Sequence, residues 1–200
     1  MTFVARFAHK ARAALGCGAF VFLLGGCGSG ADPLDNPPTV SNPPSTGGQK
    51  LSFAYFQRCI NPIFNTVLGN NTCASSGCHD SRDGTGGALR IVPNAATIDV
   101  TNPANTPDVI RATDMYRNFY SAQGMTLLSS PADSRLLTKP LVRGVLHGGG
   151  QIFSGDQDPN VRFILYWISN PAPQGQDEFS TATYNMFTPA DPNAGACKTQ

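Results

Sequence analysis

The chain has 200 residues with 14 basic and 13 acidic side chains, and charged residues make up only 14% of it. So sparse and balanced a charge set excludes a nucleic-acid partner and a polybasic membrane patch, both of which need a surplus of cations. Twenty-one glycines and 16 prolines point to a fold rich in loops.

The first segment has the order of an export signal. Arg6, Lys10 and Arg12 form a positive start with no acidic residue near it, and an apolar run follows from Ala13 to Leu24. That run is too short to span a hydrocarbon layer of about 30 Å as a permanent helix. It ends in Leu24-Gly25-Gly26-Cys27, which resembles the lipobox of bacterial lipoproteins. The resemblance implies that residues 1–26 are a cleaved signal peptide and that Cys27 carries the lipid. With Arg6, Lys10 and Arg12 gone, 11 basic residues face 13 acidic ones, a net charge of −2. Residue 28 is Gly rather than Asp, so the resemblance favours the outer membrane and a place in the cell envelope, on the periplasmic or surface side.

Residues 27–50 are dominated by Pro, Gly, Ser, Asn and Asp without apolar periodicity. Such a segment cannot bury enough surface to offset its ordering entropy, and it reads as a disordered tether. Its reach is on the order of 25 Å as a coil and about 70 Å if the prolines hold it extended. The folded part is expected over 51–170, followed by an extended polar tail over 171–200.

From Leu51 to Leu68 the residues Phe53, Phe56, Ile60, Ile63 and Val67 recur at helical spacing. Pro62 lies inside this pattern, so either the helix kinks or Asn61 caps a second helix. Leu89–Val92 and Ile98–Val100 read as short strands. Thr106-Pro107 opens a helix with Val109, Ile110, Met115, Tyr116 and Phe119 as its core contacts. Short helical pieces are expected over 132–145. Asp158-Pro159 starts a final helix that buries Val161, Ile164, Leu165 and Ile168, with Trp167 either in the core or near a cofactor. The fold class is mostly α.

Cys17 leaves with the signal and Cys27 is used by the lipid, which leaves Cys59, Cys73, Cys78 and Cys197. In an oxidising compartment each needs a chemical fate. Residues 73–79 read Cys-Ala-Ser-Ser-Gly-Cys-His. Attachment of haem c needs two thiols for the vinyl groups and a His directly after the second Cys, so that its imidazole lies under the iron. Here four residues separate the cysteines where two are common, and Ser75, Ser76 and Gly77 are small enough to bulge away from a porphyrin edge. Two other readings stand beside this one. Cys73 and Cys78 can close a small disulfide, or Cys73, Cys78, His79 and His147 can bind zinc, although adjacent Cys78 and His79 fit one tetrahedral ion awkwardly.

The pieces Pro62-Ile63-Phe64, Cys73 to His79, Gly86-Gly87-Ala88-Leu89-Arg90, Ser134 to Leu141, His147-Gly148-Gly149 and Tyr166-Trp167-Ile168 occur in this order. Together, from about Phe53 to Asn170, they resemble the CxxxxCH cytochrome c-like domains of bacterial lipoproteins, related to planctomycete-type cytochrome c domains. The resemblance implies a small cytochrome c-like helical domain with long loops, covalent haem c on Cys73 and Cys78, and His79 as the proximal iron ligand.

A sixth ligand in such a protein is usually His or Met. After the signal only His79 and His147 remain, and Gly148-Gly149-Gly150 beside His147 lets backbone pass close to a flat cofactor. The resemblance also implies a ligand role for His147. Met125 is its rival, Met186 a weaker one, and Met115 falls in a helical pattern that suits the core. His-Gly-Gly-Gly is also the oxyanion-hole stretch of some esterases, but no G-x-S-x-G elbow occurs. If Cys73 and Cys78 hold haem, Cys59 and Cys197 are left to form a disulfide; in a haemless protein Cys59 can pair with Cys73 or Cys78 instead.

With no acid/base pair or open metal site in view, an enzyme is not expected. The expected function is a membrane-anchored monohaem cytochrome that exchanges electrons with redox partner proteins. The alternatives are a haemless, disulfide-stapled envelope lipoprotein with a binding or scaffolding role, and a haem enzyme or gas sensor with an open sixth position.

Overall fold

Phe53, Ala54, Tyr55, Phe56, Cys59, Ile60, Ile63 and Phe64 crowd the stretch from Leu51 to Phe64, and a helix with so wide an apolar surface belongs at the centre of the molecule rather than on its surface. In the computed structural model, which describes residues 48–200, that is where it lies. The signal segment, Cys27 and all but the last residues of the tether lie outside the described residues. Among those described, the chain is mostly helical: α1 (Phe53–Tyr55), a π-helical turn (Phe56–Ile60), α2 (Asn61–Asn65), α3 (Pro107–Arg111), α4 (Asp114–Gln123), α5 (Arg135–Thr138) and α6 (Pro159–Ser169). Two 3-10 turns, Pro131–Asp133 and Thr181–Met186, and two strands, β1 (Phe187–Thr188) and β2 (Ala196–Cys197), complete it. No helix among the described residues is long and apolar enough to cross a membrane.

Pro62 falls in the first turn of α2, as the second of the two readings has it, but with Ile60 rather than Asn61 at the cap position. The π turn absorbs it: the Asn61 N–H donates to the Phe56 carbonyl, five residues back. The widened turn moves the backbone off the α-helical ladder just where a proline ring would clash and an N–H would be missing. The helix then stops at Asn65, because Thr66 is extended. Val67, expected in the core, is therefore 64% exposed.

Around the central helix pack Phe119 of α4, edge-to-face on Phe56 at 5.5 Å between ring centres, and Trp167 of α6, tilted by 44° at 5.4 Å from the same ring. Trp167 is fully buried and its indole N–H donates to the Ser52 carbonyl at 2.9 Å. It is core, with a polar handle satisfied by backbone. Asp158 caps α6 by accepting from Asn160 N–H, and Val161, Ile164 and Ile168 are buried as expected. Leu165 is only half-buried.

The helix expected from Thr106 onward is two helices. Thr106 caps α3 and Thr113 caps α4, each hydroxyl accepting a backbone N–H three residues on. The break rotates α3 so that Val109 is 46% exposed, while Ile110, Met115 and Phe119 are buried. The expected strands are absent: Ile91 makes a single parallel bridge to Asp80. Ile98 is held instead by the Gln57 side chain, which accepts from its N–H and donates to its carbonyl.

The C-terminal 30 residues, expected as an extended polar tail, return to the core. Phe53 N–H donates to the Glu178 carbonyl, Ser52 hydroxyl to Thr183, and Met186 and Phe187 are 1% exposed. The apolar residues are thinly spread here, and only tertiary contact with α1 reveals their use. β1 and β2 pair antiparallel with Phe187 opposite Cys197. Cys197 is joined to Cys59 of the π turn by a disulfide with a Cα separation of 6.1 Å.

Candidate haem-binding site

Residues 72–91 form an irregular loop between α2 and α3. Its start is docked by Ala74, which is 2% exposed and donates its N–H to the Phe64 carbonyl at the end of α2. Ser76 and Gly77 project into solvent. The four-residue spacer thus anchors at one end and bulges at the other. Thr72, Ser75 and Cys78 tighten the turn: Ser75 N–H and hydroxyl donate to the Thr72 carbonyl, and Cys78 N–H to the Ser75 carbonyl.

Cys73 and Cys78 are half-buried free thiols. Burial, and then the neighbouring Cys78, push the Cys73 thiol up to about 11, so it stays protonated and slow to oxidise near neutrality. The small disulfide considered for this pair is not formed. Nor do the donors of the zinc alternative converge: among the described residues no group of three or more His, Cys, Asp or Glu side chains is arranged to hold a metal ion.

His79 is fixed on three sides. Its N–H donates to the Cys73 carbonyl at 2.9 Å, its carbonyl accepts from Ile91 N–H at 2.7 Å, and its ring Nδ1 lies 3.1 Å from the Leu89 carbonyl. A carbonyl can only accept, so Nδ1 carries the proton and Nε2 keeps its lone pair. Burial holds the ring below the usual imidazole range, with His147 and Arg90 adding to the effect against the carbonyl contacts, which favours the neutral, ligating form.

The Leu89 carbonyl is itself positioned by α4. Ser121 accepts from Arg90 N–H at 2.7 Å, and buried Asn118 accepts from Val92 N–H and donates to its carbonyl. These two residues lie three apart on one helix face, so they grip alternate residues of the extended segment. Gly86 closes over the imidazole from the other side: a Cβ there would lie 2.3 Å from His79 Nδ1 and 2.6 Å from the Cys78 carbonyl oxygen. Below, the Asp80 carboxylate accepts from Arg82 N–H at 2.8 Å and also meets its guanidinium; these contacts hold the carboxyl below its usual range.

His147 reaches the same place from a loop after α5. Its ring lies nearly parallel to that of His79, at 11°, with 6.2 Å between ring centres. Its Nδ1 is 2.7 Å from the Gly150 carbonyl, and Gly150 N–H donates back to the His147 carbonyl at 2.9 Å. Gly150 takes φ +73° to close this turn, which is why a glycine is needed there. His147 therefore also keeps Nε2 free. Of the sulfur rivals, Met115 and Met186 are buried in the core, and half-buried Met125 packs against it. An open groove of about 670 Å³ between α5 and α6 includes Leu137, Val161 and Tyr166 but none of Cys73, Cys78, His79 or His147.

No family model, curated protein or solved structure matches the chain. The site therefore stands on its own geometry. The two cysteines and two histidines are legible in the sequence; Leu89, whose backbone oxygen leaves no residue-type signal, is not, nor are Asn118 and Ser121. The Gly86-Gly87 pair was visible as part of a resemblance but not as steric clearance for an imidazole.

Proposed function

We propose that the chain is a single-haem c-type cytochrome, held to a membrane by lipid on Cys27, that passes electrons between redox partner proteins. The observation that carries this reading is the His79–His147 pair. A metal ion bonded to one nitrogen of each ring would need the ring centres about 6 Å apart. The two rings are 6.2 Å apart and nearly parallel, with Nδ1 of each engaged by a backbone carbonyl. That is the second-shell arrangement of metal-ligating histidines.

In this reading Cys73 and Cys78 hold haem c by thioether bonds, and His79 and His147 are its proximal and distal ligands. Bound haem supplies reversible one-electron chemistry at iron. The chain's own residues orient the ligands: Leu89 and Gly150 set the tautomers, and Gly86 leaves room for the His79 ring. Two His ligands, in place of His and Met, favour a lower potential.

One observation favours the haemless alternative: the aromatic core of Phe53, Phe56, Phe119 and Trp167 closes on itself with each ring at most 1% exposed. The two readings separate on one experiment. The full chain is expressed in a host with haem-attachment machinery, and the denatured protein is examined by mass and by its reduced-minus-oxidised spectrum. The cytochrome reading predicts one haem retained after denaturation. A protein of unmodified mass with no haem absorbance contradicts it.

A further inference from the structure

The two histidines are held very differently. His79 is tied to three separate points of the fold, the carbonyls of Cys73 and Leu89 and the N–H of Ile91. The ring brace of His147 goes to Gly150, three residues away on the same loop. That brace orients the ring but fixes the loop to nothing. Of residues 142–150 only His147 is even half-buried, and Leu146 beside it is 88% exposed.

The ends of this segment are marked by backbone that turns left-handed: Val142 at φ +51°, Gly144 at +67° and Gly150 at +73°. For glycine this is free. For Val142, a β-branched residue, it is strained. The side-chain contacts that fasten the segment to the rest of the chain are few: Lys139 Nζ donates to the Leu146 carbonyl at 3.2 Å, and Arg143 pairs with Asp156, both substantially exposed. Segments with few buried contacts and solvent-exposed ties are those that open locally at low cost.

We propose that residues 142–150 are a releasable arm that carries His147 on and off the sixth coordination position, so that a small neutral diatomic ligand can bind there. The inference rests on the cytochrome reading and deepens it by adding a ligand-binding activity at the same site. In the exchange the bond from His147 Nε2 breaks and a lone pair of the incoming molecule forms the new one. No electron or proton is transferred. His79 stays, because its ties run to independent segments.

The test uses the full-length holoprotein and carbon monoxide as the probe. The ferrous wild type must first show covalent, low-spin haem; its absence would refute the cytochrome reading itself, and the arm with it. Where that holds, carbon monoxide binding followed by rapid mixing is expected to reach a plateau rate at high ligand concentration, set by departure of His147. Arg143→Ala removes the exposed tie to Asp156 and is expected to raise that plateau by about one and a half- to fivefold. Arg117→Ala, which removes the exposed pair with Asp114 on α4, is expected to leave it unchanged. Three results overturn the arm while leaving the cytochrome intact: no binding in the ferrous wild type, a rate linear in ligand with no plateau, or equal plateaus in wild type and Arg143→Ala.

Discussion

Replacing Gly86 with alanine is expected to strip the His79 ligand from the proposed cytochrome while leaving haem attached. The added Cβ would lie 2.3 Å from His79 Nδ1 and 2.6 Å from both His79 Cε1 and the Cys78 carbonyl oxygen. None of these is the free end of a flexible side chain. The Cys78 carbonyl already accepts from Gly86 N–H at 2.7 Å, so backbone cannot retreat without losing that bond. The imidazole must rotate instead and give up the Leu89 carbonyl. Overpacking of this kind costs about 1–3 kcal/mol in stability. The larger consequence is spectroscopic, because the Gly86→Ala chain keeps Cys73, Cys78 and His79 for attachment while the displaced ring loses its Leu89 brace. Haem content should match wild type while most of the low-spin signal is lost. Gly77→Ala, where a Cβ meets nothing within 4 Å, should keep wild-type spectra. Equal low-spin fractions in both variants would show that Gly86 is not positioning the ring.

The second large effect concerns the Cys59–Cys197 bridge, which spans 138 residues of sequence. Closing so long a loop removes denatured-state entropy worth about 5 kcal/mol in the chain-entropy model. Domains of this size have net stabilities of about 5–15 kcal/mol, so the bridge accounts for a third or more of the total. It also does local work, pinning β2 to the π turn that accommodates Pro62. A Cys59→Ala/Cys197→Ala double variant is expected to lose about 3–5 kcal/mol in denaturant unfolding. A loss below about 1 kcal/mol would mean that the C-terminal segment is held by its buried contacts alone, chiefly Met186, Phe187 and the Ser52–Thr183 bond.

What the sequence reveals and what it hides follow from range. Local chemistry was legible: Thr106-Pro107 and Asp158-Pro159 are caps whose partners lie two or three residues away, and both start helices where expected. The cysteine count led to the Cys59–Cys197 pair, and Cys-His adjacency with the His-Gly-Gly-Gly run singled out the two histidines that meet. The hidden parts depend on distant contacts. Thr113 caps a helix inside a continuous apolar period, so the period alone extended one helix across two and misplaced Val109. Leu89–Val92 has strand-like composition, but Asn118 and Ser121 of α4 take up its backbone hydrogen bonds instead of a neighbouring strand. The segment after 170 is polar on average, yet Glu178 is buried by the Arg111 guanidinium and the Tyr116 hydroxyl, both supplied from more than 60 residues away.

If His79 and His147 hold one haem between them, as proposed, His147→Ala must change its spin state. Ferric and ferrous spectra of the purified holoprotein are compared with those of wild type and Met125→Ala. Low-spin, bis-imidazole signatures are expected in wild type and in Met125→Ala, and a high-spin haem, still covalently attached, in His147→Ala. A His147→Ala protein that remains low-spin, or a Met125→Ala protein that alone turns high-spin, would contradict that pairing.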